Sequence, residues 1–203
     1  MSKDMVQDKK QIQQKKLALQ QSLLEISQYI SEIDFFKIET KDGDCDAEPS
    51  QILCDQNSMY WQDILNAKFP IQDLETIKKM IVDGIEEGWF SPYEGKDLTY
   101  GRLCKAEHNK NVSIETVVMT STGPGHVHPM GEFDLCFALD GEPTFDGYKE
   151  GWVVYPPTSW HVPTVTGGKM AILYFLPEGS IQFQKHPLAS MEERQNLIKN
   201  WMT

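Results

Sequence analysis

The chain has 203 residues and a net charge of −11, with 19 Lys and Arg against 30 Asp and Glu. Phosphate binding needs clustered cations, and Arg102 and Arg194 are the only arginines, so nucleic acid and anionic membrane surfaces are excluded as partners. A hydrophobic share of 40% with 24% charged residues suits a globular fold in water. No run approaches the ~20 apolar residues of a membrane span, and the first residues lack the apolar core of a signal peptide. The four cysteines, Cys45, Cys54, Cys104 and Cys136, show no paired metal spacing and are few for a disulfide framework. A reducing cytoplasm is the expected setting.

From Ile12 to Ile33 the residues Ile12, Leu19, Leu23, Ile26, Ile30 and Ile33 recur at three and four spacings, with Lys16 off the pattern. This predicts one long amphipathic helix with a narrow apolar seam. The seam serves either packing on its own domain or a homodimer contact. An acidic stretch from Asp34 to Ser50 then predicts a helix end near Phe36 and a loop. A second helix is expected within Gln56 to Ala67. A third follows Pro70, where Leu74, Ile77, Ile81 and Ile85 trace one face and Gly88 supplies the stop. No chemistry is legible in residues 1–88.

After Gly88 the helical spacing gives way to short β-rich runs separated by glycine, proline and asparagine. Strands are expected at Tyr100 to Ala106, Val112 to Met119, Phe133 to Leu139, Trp152 to Tyr155, His161 to Val165, Met170 to Leu176 and Ile181 to Gln184. Asp140-Gly141, Asp146-Gly147 and Gly167-Gly168 read as the turns between them. The expectation is an α+β fold: a helical region over 1–88, an antiparallel β-barrel of the jelly-roll kind over 89–185, and a C-terminal helix over 186–203. That last helix opens on the capping box Ser190-Met191-Glu192-Glu193 and carries Leu197, Ile198 and Trp201.

The stretch from Gly123 to His161 holds the chemistry. His126 and His128 lie two apart, so on an extended segment both face one point. With a carboxylate at Glu132 or Asp134 and a third imidazole at His161, they form a donor set for a divalent metal such as zinc, iron or manganese. The alternative is a metal-free pocket in which these groups bond to one another, although every buried ring nitrogen left unpaired costs roughly 1 to 3 kcal/mol. Arg102 reads either as a surface strand residue or as a clamp for a substrate carboxylate, which a guanidinium fork matches in two hydrogen bonds. Trp152, Tyr155 and Tyr174 are candidates for an aromatic wall, against the alternative of ordinary core positions. No Gly-x-Gly-x-x-Gly or P-loop occurs, so no nucleotide cofactor is expected.

His126, His128 and Glu132, followed by Gly151, Pro157 and His161, resemble the two motifs of the cupin superfamily, His-x-His-x3-Glu and Gly-x5-Pro leading to a histidine. The resemblance departs in two places, one being that Pro156-Pro157-Thr158-Ser159-Trp160 replaces the glycine-bearing turn before the third histidine. Eight residues separate Glu132 from the closing Gly141 where the motif has six, whereas Asp134 has the six-residue spacing, so either could be the fourth ligand and the other a proton-transfer group.

A narrower resemblance runs from Gly88 to Phe183. Tyr100-Gly101-Arg102, His128-Pro129-Met130-Gly131-Glu132-Phe133-Asp134, Leu139-Asp140-Gly141, Phe145-Asp146-Gly147, Gly151-Trp152-Val153-Val154-Tyr155, His161 to Gly168 and Leu176-Pro177-Glu178-Gly179 together resemble the 4-hydroxylaminobenzoate lyase family of bacterial nitroaromatic breakdown. That resemblance implies conversion of 4-hydroxylaminobenzoate to 3,4-dihydroxybenzoate with release of ammonium. Glu132, Asp134 and His161 would serve as catalytic groups on a small aromatic acid. An iron-dependent ring-opening dioxygenase would use the same histidines and acid, and a non-catalytic small-molecule-binding cupin is the alternative from another class.

Overall fold

A computed structural model describes residues 3–35 and 51–201. Its helices are α1 (Lys3–Ser22), α2 (Leu24–Ser31), α3 (Gln51–Lys68), α4 (Glu75–Glu86) and α5 (Met191–Trp201). Its strands are β1 (Tyr93–Glu94), β2 (Leu98–Cys104), β3 (Val112–Met119), β4 (His126–His128), β5 (Glu132–Phe145), β6 (Gly151–Tyr155), β7 (Ser159–His161), β8 (Val165–Pro177) and β9 (Gln182–Phe183). A six-stranded sheet runs in the order β1-β2-β3-β8-β5-β6, and a three-stranded sheet in the order β7-β4-β9. Every pairing is antiparallel. The result is the α+β architecture expected, with N-terminal helices, a cupin-like antiparallel barrel and a short C-terminal helix.

The helical seam is divided at Leu23 into α1 and α2, although Leu23 and Ser27 still donate to the carbonyls of Leu19 and Leu23. Leu19, Leu23, Ile26 and Ile30 are buried in a core shared with the large sheet, so this face packs on its own chain. Helix α2 ends at Ser31 with Glu32 as its C-cap, five residues before the expected end near Phe36, and the expected loop from residue 36 to residue 50 lies outside the described residues. On α4, Ile77 and Ile81 point into the same core, and Gly88 follows at φ 73°. At the far end Ser190 Oγ accepts the Glu193 N–H at 3.2 Å, as a capping residue should.

Strand alternation sorts the large sheet into two faces. Along β5, Phe133, Leu135 and Phe137 join the helices, whereas Cys136 belongs to a second core on the opposite face. Along β8, Ala171, Leu173 and Phe175 face the helices, and Met170, Ile172, Tyr174 and Leu176 face the small sheet. On β6, Trp152 and Val154 go outward and Val153 and Tyr155 inward. Helix α3 lies along β6: Asn66 Oδ1 accepts the Trp152 N–H at 3.1 Å, and Gln62 Oε1 accepts that of Val154 at 3.1 Å.

Two of the three expected turns are not turns. Asp140-Gly141 lies inside β5 and Gly167-Gly168 inside β8, where Gly141 pairs with Gly168 at an irregularity in the register. The reason is close approach of the two backbones. A Cβ on Gly141, itself at φ 74°, would meet the Gly167 carbonyl oxygen at 2.5 Å. Asp146-Gly147 does form a turn. Its two residues have φ 49° and 89°, and Phe145 and Tyr148 exchange N–H···O bonds of 2.8 and 2.9 Å, the pattern of a type I′ hairpin.

Trp152 is therefore a core residue on the helical side. It is 2% exposed, and its indole N–H donates to the Phe69 carbonyl at 3.1 Å. Truncation in the variant Trp152→Ala should lower the free energy of unfolding by about 3–5 kcal/mol in urea denaturation.

Candidate metal centre

His126 and His161 face each other across the β4–β7 ladder, and His128 follows two residues later on the same strand face. The chain then turns through Gly131 (φ 86°) and enters β5, whose first residue is Glu132. The small sheet thus supplies three imidazoles and the large sheet one carboxylate. One ligand atom from each of His126, His128, Glu132 and His161 lies within 4.8 Å of the others. Asp134 stands one pleat deeper on β5 and is not in this group.

Two histidines are oriented from behind. The Pro124 carbonyl lies 2.9 Å from His126 Nδ1, and Asp146 Oδ2 lies 2.7 Å from His161 Nδ1. Both partners only accept, so each Nδ1 carries the proton and each Nε2 faces the centre. The two Nε2 atoms are 3.1 Å apart, and Glu132 oxygens lie 3.8 Å from His126 Nε2 and 3.6 Å from that of His161. Glu132 Oε2 also comes within 2.7 Å of His128 Nδ1 without the alignment of a hydrogen bond. Both nitrogens of His128 and both oxygens of Glu132 are buried without a hydrogen-bond partner. A cation at this point would satisfy one His128 nitrogen and the Glu132 carboxylate together with the Nε2 atoms of His126 and His161.

The charge states of His128 and Glu132 suit that role. Burial holds His128 down at about 4 despite the pull of Glu132, so its imidazole is neutral at pH 7. Burial opposes ionisation of Glu132, but the neighbouring histidines hold it well below the usual carboxylate range. Burial and the Glu132 charge push Asp134 well above it, so Asp134 keeps its proton. For His161 burial acts downward, yet the Asp146 hydrogen bond and Glu132 raise it to about 9, so without an ion its Nε2 also holds a proton, which a bound ion would displace.

Beside this cluster is a cavity of about 490 Å³. Its lining includes Val117, His126, Tyr174 and Phe183, with Arg102 and Glu115 paired at 2.6 Å on adjacent strands. Of the expected aromatic wall, only Tyr174 is found there. Trp152 faces the helices, and Tyr155 lies beside His161, with ring centroids 4.1 Å apart and its hydroxyl donated to Asp146 at 2.5 Å. Phe183 and Asp146 carried no chemical signal in the sequence. Phe183 is 65% exposed and contacts His126 edge-on, whereas Asp146 read as the first half of a turn and as part of a run shared with the family, with no chemical role.

An antiparallel barrel of two facing sheets, with three inward histidines and one glutamate, defines a cupin-type centre. Residues 52–183 match the family described as PnbB: 4-hydroxylaminobenzoate lyase. A 4-hydroxylaminobenzoate lyase of Nocardioides sp. (strain LMS-CY) is 31% identical over 126 residues, covering 57% of this chain and 75% of its own. One of Pseudomonas putida is 30% identical over 133 residues, covering 55% and 76%. Among solved structures, a cupin-like protein of Thermotoga maritima aligns with a TM-score of 0.33 at 17% identity, over 53% of this chain and 92% of that one. An acetylacetone dioxygenase from Acinetobacter johnsonii aligns with a TM-score of 0.36 at 14% identity, over 55% and 80%. The chain belongs to the 4-hydroxylaminobenzoate lyase family.

The geometry separates the two acids. Equilibrium dialysis against zinc should show Glu132→Gln binding weaker by about 100-fold or more, and Asp134→Asn within about tenfold of the parent. Equal losses would place both carboxylates at the ion.

Proposed function

We propose that the chain converts 4-hydroxylaminobenzoate and water into 3,4-dihydroxybenzoate and ammonium. The observation that carries this reading is the buried His126, His128, Glu132 and His161 cluster beside a largely apolar cavity with a guanidinium at its rim. Family membership supports the lyase class. In this reading Arg102 holds the substrate carboxylate, and Tyr174 with Phe183 holds the ring. A divalent ion, held by the three histidines and Glu132, would supply Lewis acidity to an oxygen ligand.

The chain's own groups handle the protons. Asp134 stores a proton beside Glu132, and by way of Glu132 it reaches the hydroxylamino oxygen. The N–O bond breaks and its oxygen leaves as water. Water then adds to the electron-poor ring at the carbon next to the C–N bond, and its proton returns by way of Glu132 to the Asp134 carboxylate left by the first step. Hydrolysis of the remaining imine releases ammonia, and loss of a ring proton restores the aromatic ring. Donor and acceptor electrons balance within the substrate, so no external electron carrier takes part. The working form in this reading is a cytoplasmic homodimer.

Purified protein should release ammonium and 3,4-dihydroxybenzoate in equal amounts from 4-hydroxylaminobenzoate without oxygen uptake, and exhaustive chelation should abolish turnover. Stoichiometric oxygen consumption, or full activity after metal removal, would sink the reading. For Arg102→Ala we expect KM to rise about 10- to 100-fold with a smaller change in kcat, the loss of a charge-assisted pair.

A further inference from the structure

The type I′ turn between β5 and β6 places a carboxylate directly behind the metal centre. Asp146 Oδ2 accepts from His161 Nδ1 at 2.7 Å and from the Tyr155 hydroxyl at 2.5 Å, and its Oδ1 accepts the Thr164 backbone N–H at 2.7 Å. The Asp146 N–H in turn donates to the Thr164 carbonyl at 2.8 Å, so the residue is tied to the start of β8 through both backbone and side chain. The side chain is only 18% exposed. Three donors on one short carboxylate leave it little freedom to rotate.

We propose that Asp146 is a positioning residue for metal capture: it fixes His161 in the tautomer whose Nε2 lone pair points at the centre, and holds Tyr155 as a wall against the ring. The inference rests on the reading of the cluster as a metal site. A carboxylate has no proton to give, so His161 Nδ1 must donate and Nε2 is left as the ligand atom. An amide at the same place would act in the opposite sense. With its oxygen kept on the Thr164 N–H, its NH₂ would face His161 Nδ1, forcing that nitrogen to accept and moving the ring proton to Nε2. Tyr155 contributes nothing to this choice beyond a second hydrogen bond to the same oxygen.

The backbone separates this role from a merely structural one. Asp146 sits at φ 49°, in the left-handed region that Asn adopts at least as readily as Asp and that Ala disfavours. Asp146→Asn therefore preserves the turn and reverses the hydrogen bond, whereas Asp146→Ala strains the turn and leaves Nδ1 free to bond water. If Asp146 positions the ligand, zinc affinity measured by chelator competition falls about 10- to 100-fold in Asp146→Asn and less in Asp146→Ala, while thermal melting of the zinc-free proteins shows the reverse order. Tyr155→Phe should keep zinc affinity within about threefold of the parent, because the carboxylate remains on His161. The inference is overturned if Asp146→Asn binds zinc like the parent, if Asp146→Ala binds more weakly than Asp146→Asn, or if Tyr155→Phe loses as much as Asp146→Asn. A parent protein that bound no zinc would instead overturn the metal reading itself.

Discussion

Along β5, Phe133, Leu135 and Phe137 alternate with Glu132, Asp134 and Cys136, and that alternation decides where the chemistry can be. The aromatic and aliphatic set is buried against the helices, and the polar set is turned toward the small sheet. Because side chains repeat every two residues, a slip of one position would put two carboxyl groups into the helical core and the phenylalanines against the histidines. The burial of Phe133, Leu135 and Phe137 therefore also fixes the depth of Glu132. The bulge beyond Ala138 lies outside this segment, so the register is regular where the site needs it.

The helices bear on function through the same sheet. They cover its outer face and share one core with it, which leaves the inner face free to carry polar groups that a lone barrel wall would have to balance against solubility. The interior so created is dry enough to separate two neighbouring carboxyl groups by charge state. Glu132 is ionised because imidazoles surround it, and Asp134 is neutral because it is buried and lies beside the Glu132 charge. Two adjacent buried carboxyl groups settle into one charged and one neutral member because like charges repel at close range.

Much of this was legible in the residues. His126-x-His128 on an extended segment, with His161 beyond a glycine and a proline, specified a convergent cluster because the two-residue period of a strand leaves little choice. The helix over Leu74 to Ile85 and the strand from Val112 to Met119 followed from periodicity alone. What failed did so for a common cause, that local signals do not report what lies across the sheet. Gly141 and Gly168 resembled turn residues because glycine serves both turns and close backbone approach, and only their pairing distinguishes the two. Trp152 and Tyr155 belong to one short strand and looked equivalent as aromatic wall, yet they project to opposite sides. Asp146 carried the signature of a hairpin, which is correct, and nothing in its neighbourhood disclosed that His161 lies within reach of its side chain.

Helix α3 offers a last consequence. Its Gln62 and Asn66, one helical turn apart, accept the backbone N–H groups that β6 presents on the side away from β5. They do for that strand what a seventh strand would do. An unpaired border of this kind is ordinarily a template on which another chain can add and polymerise, and here the template is already occupied by amide side chains. Two glutamine-like residues on a helix thus act as a chemical stopper for the sheet, guarding solubility at the margin of the barrel wall that carries Glu132.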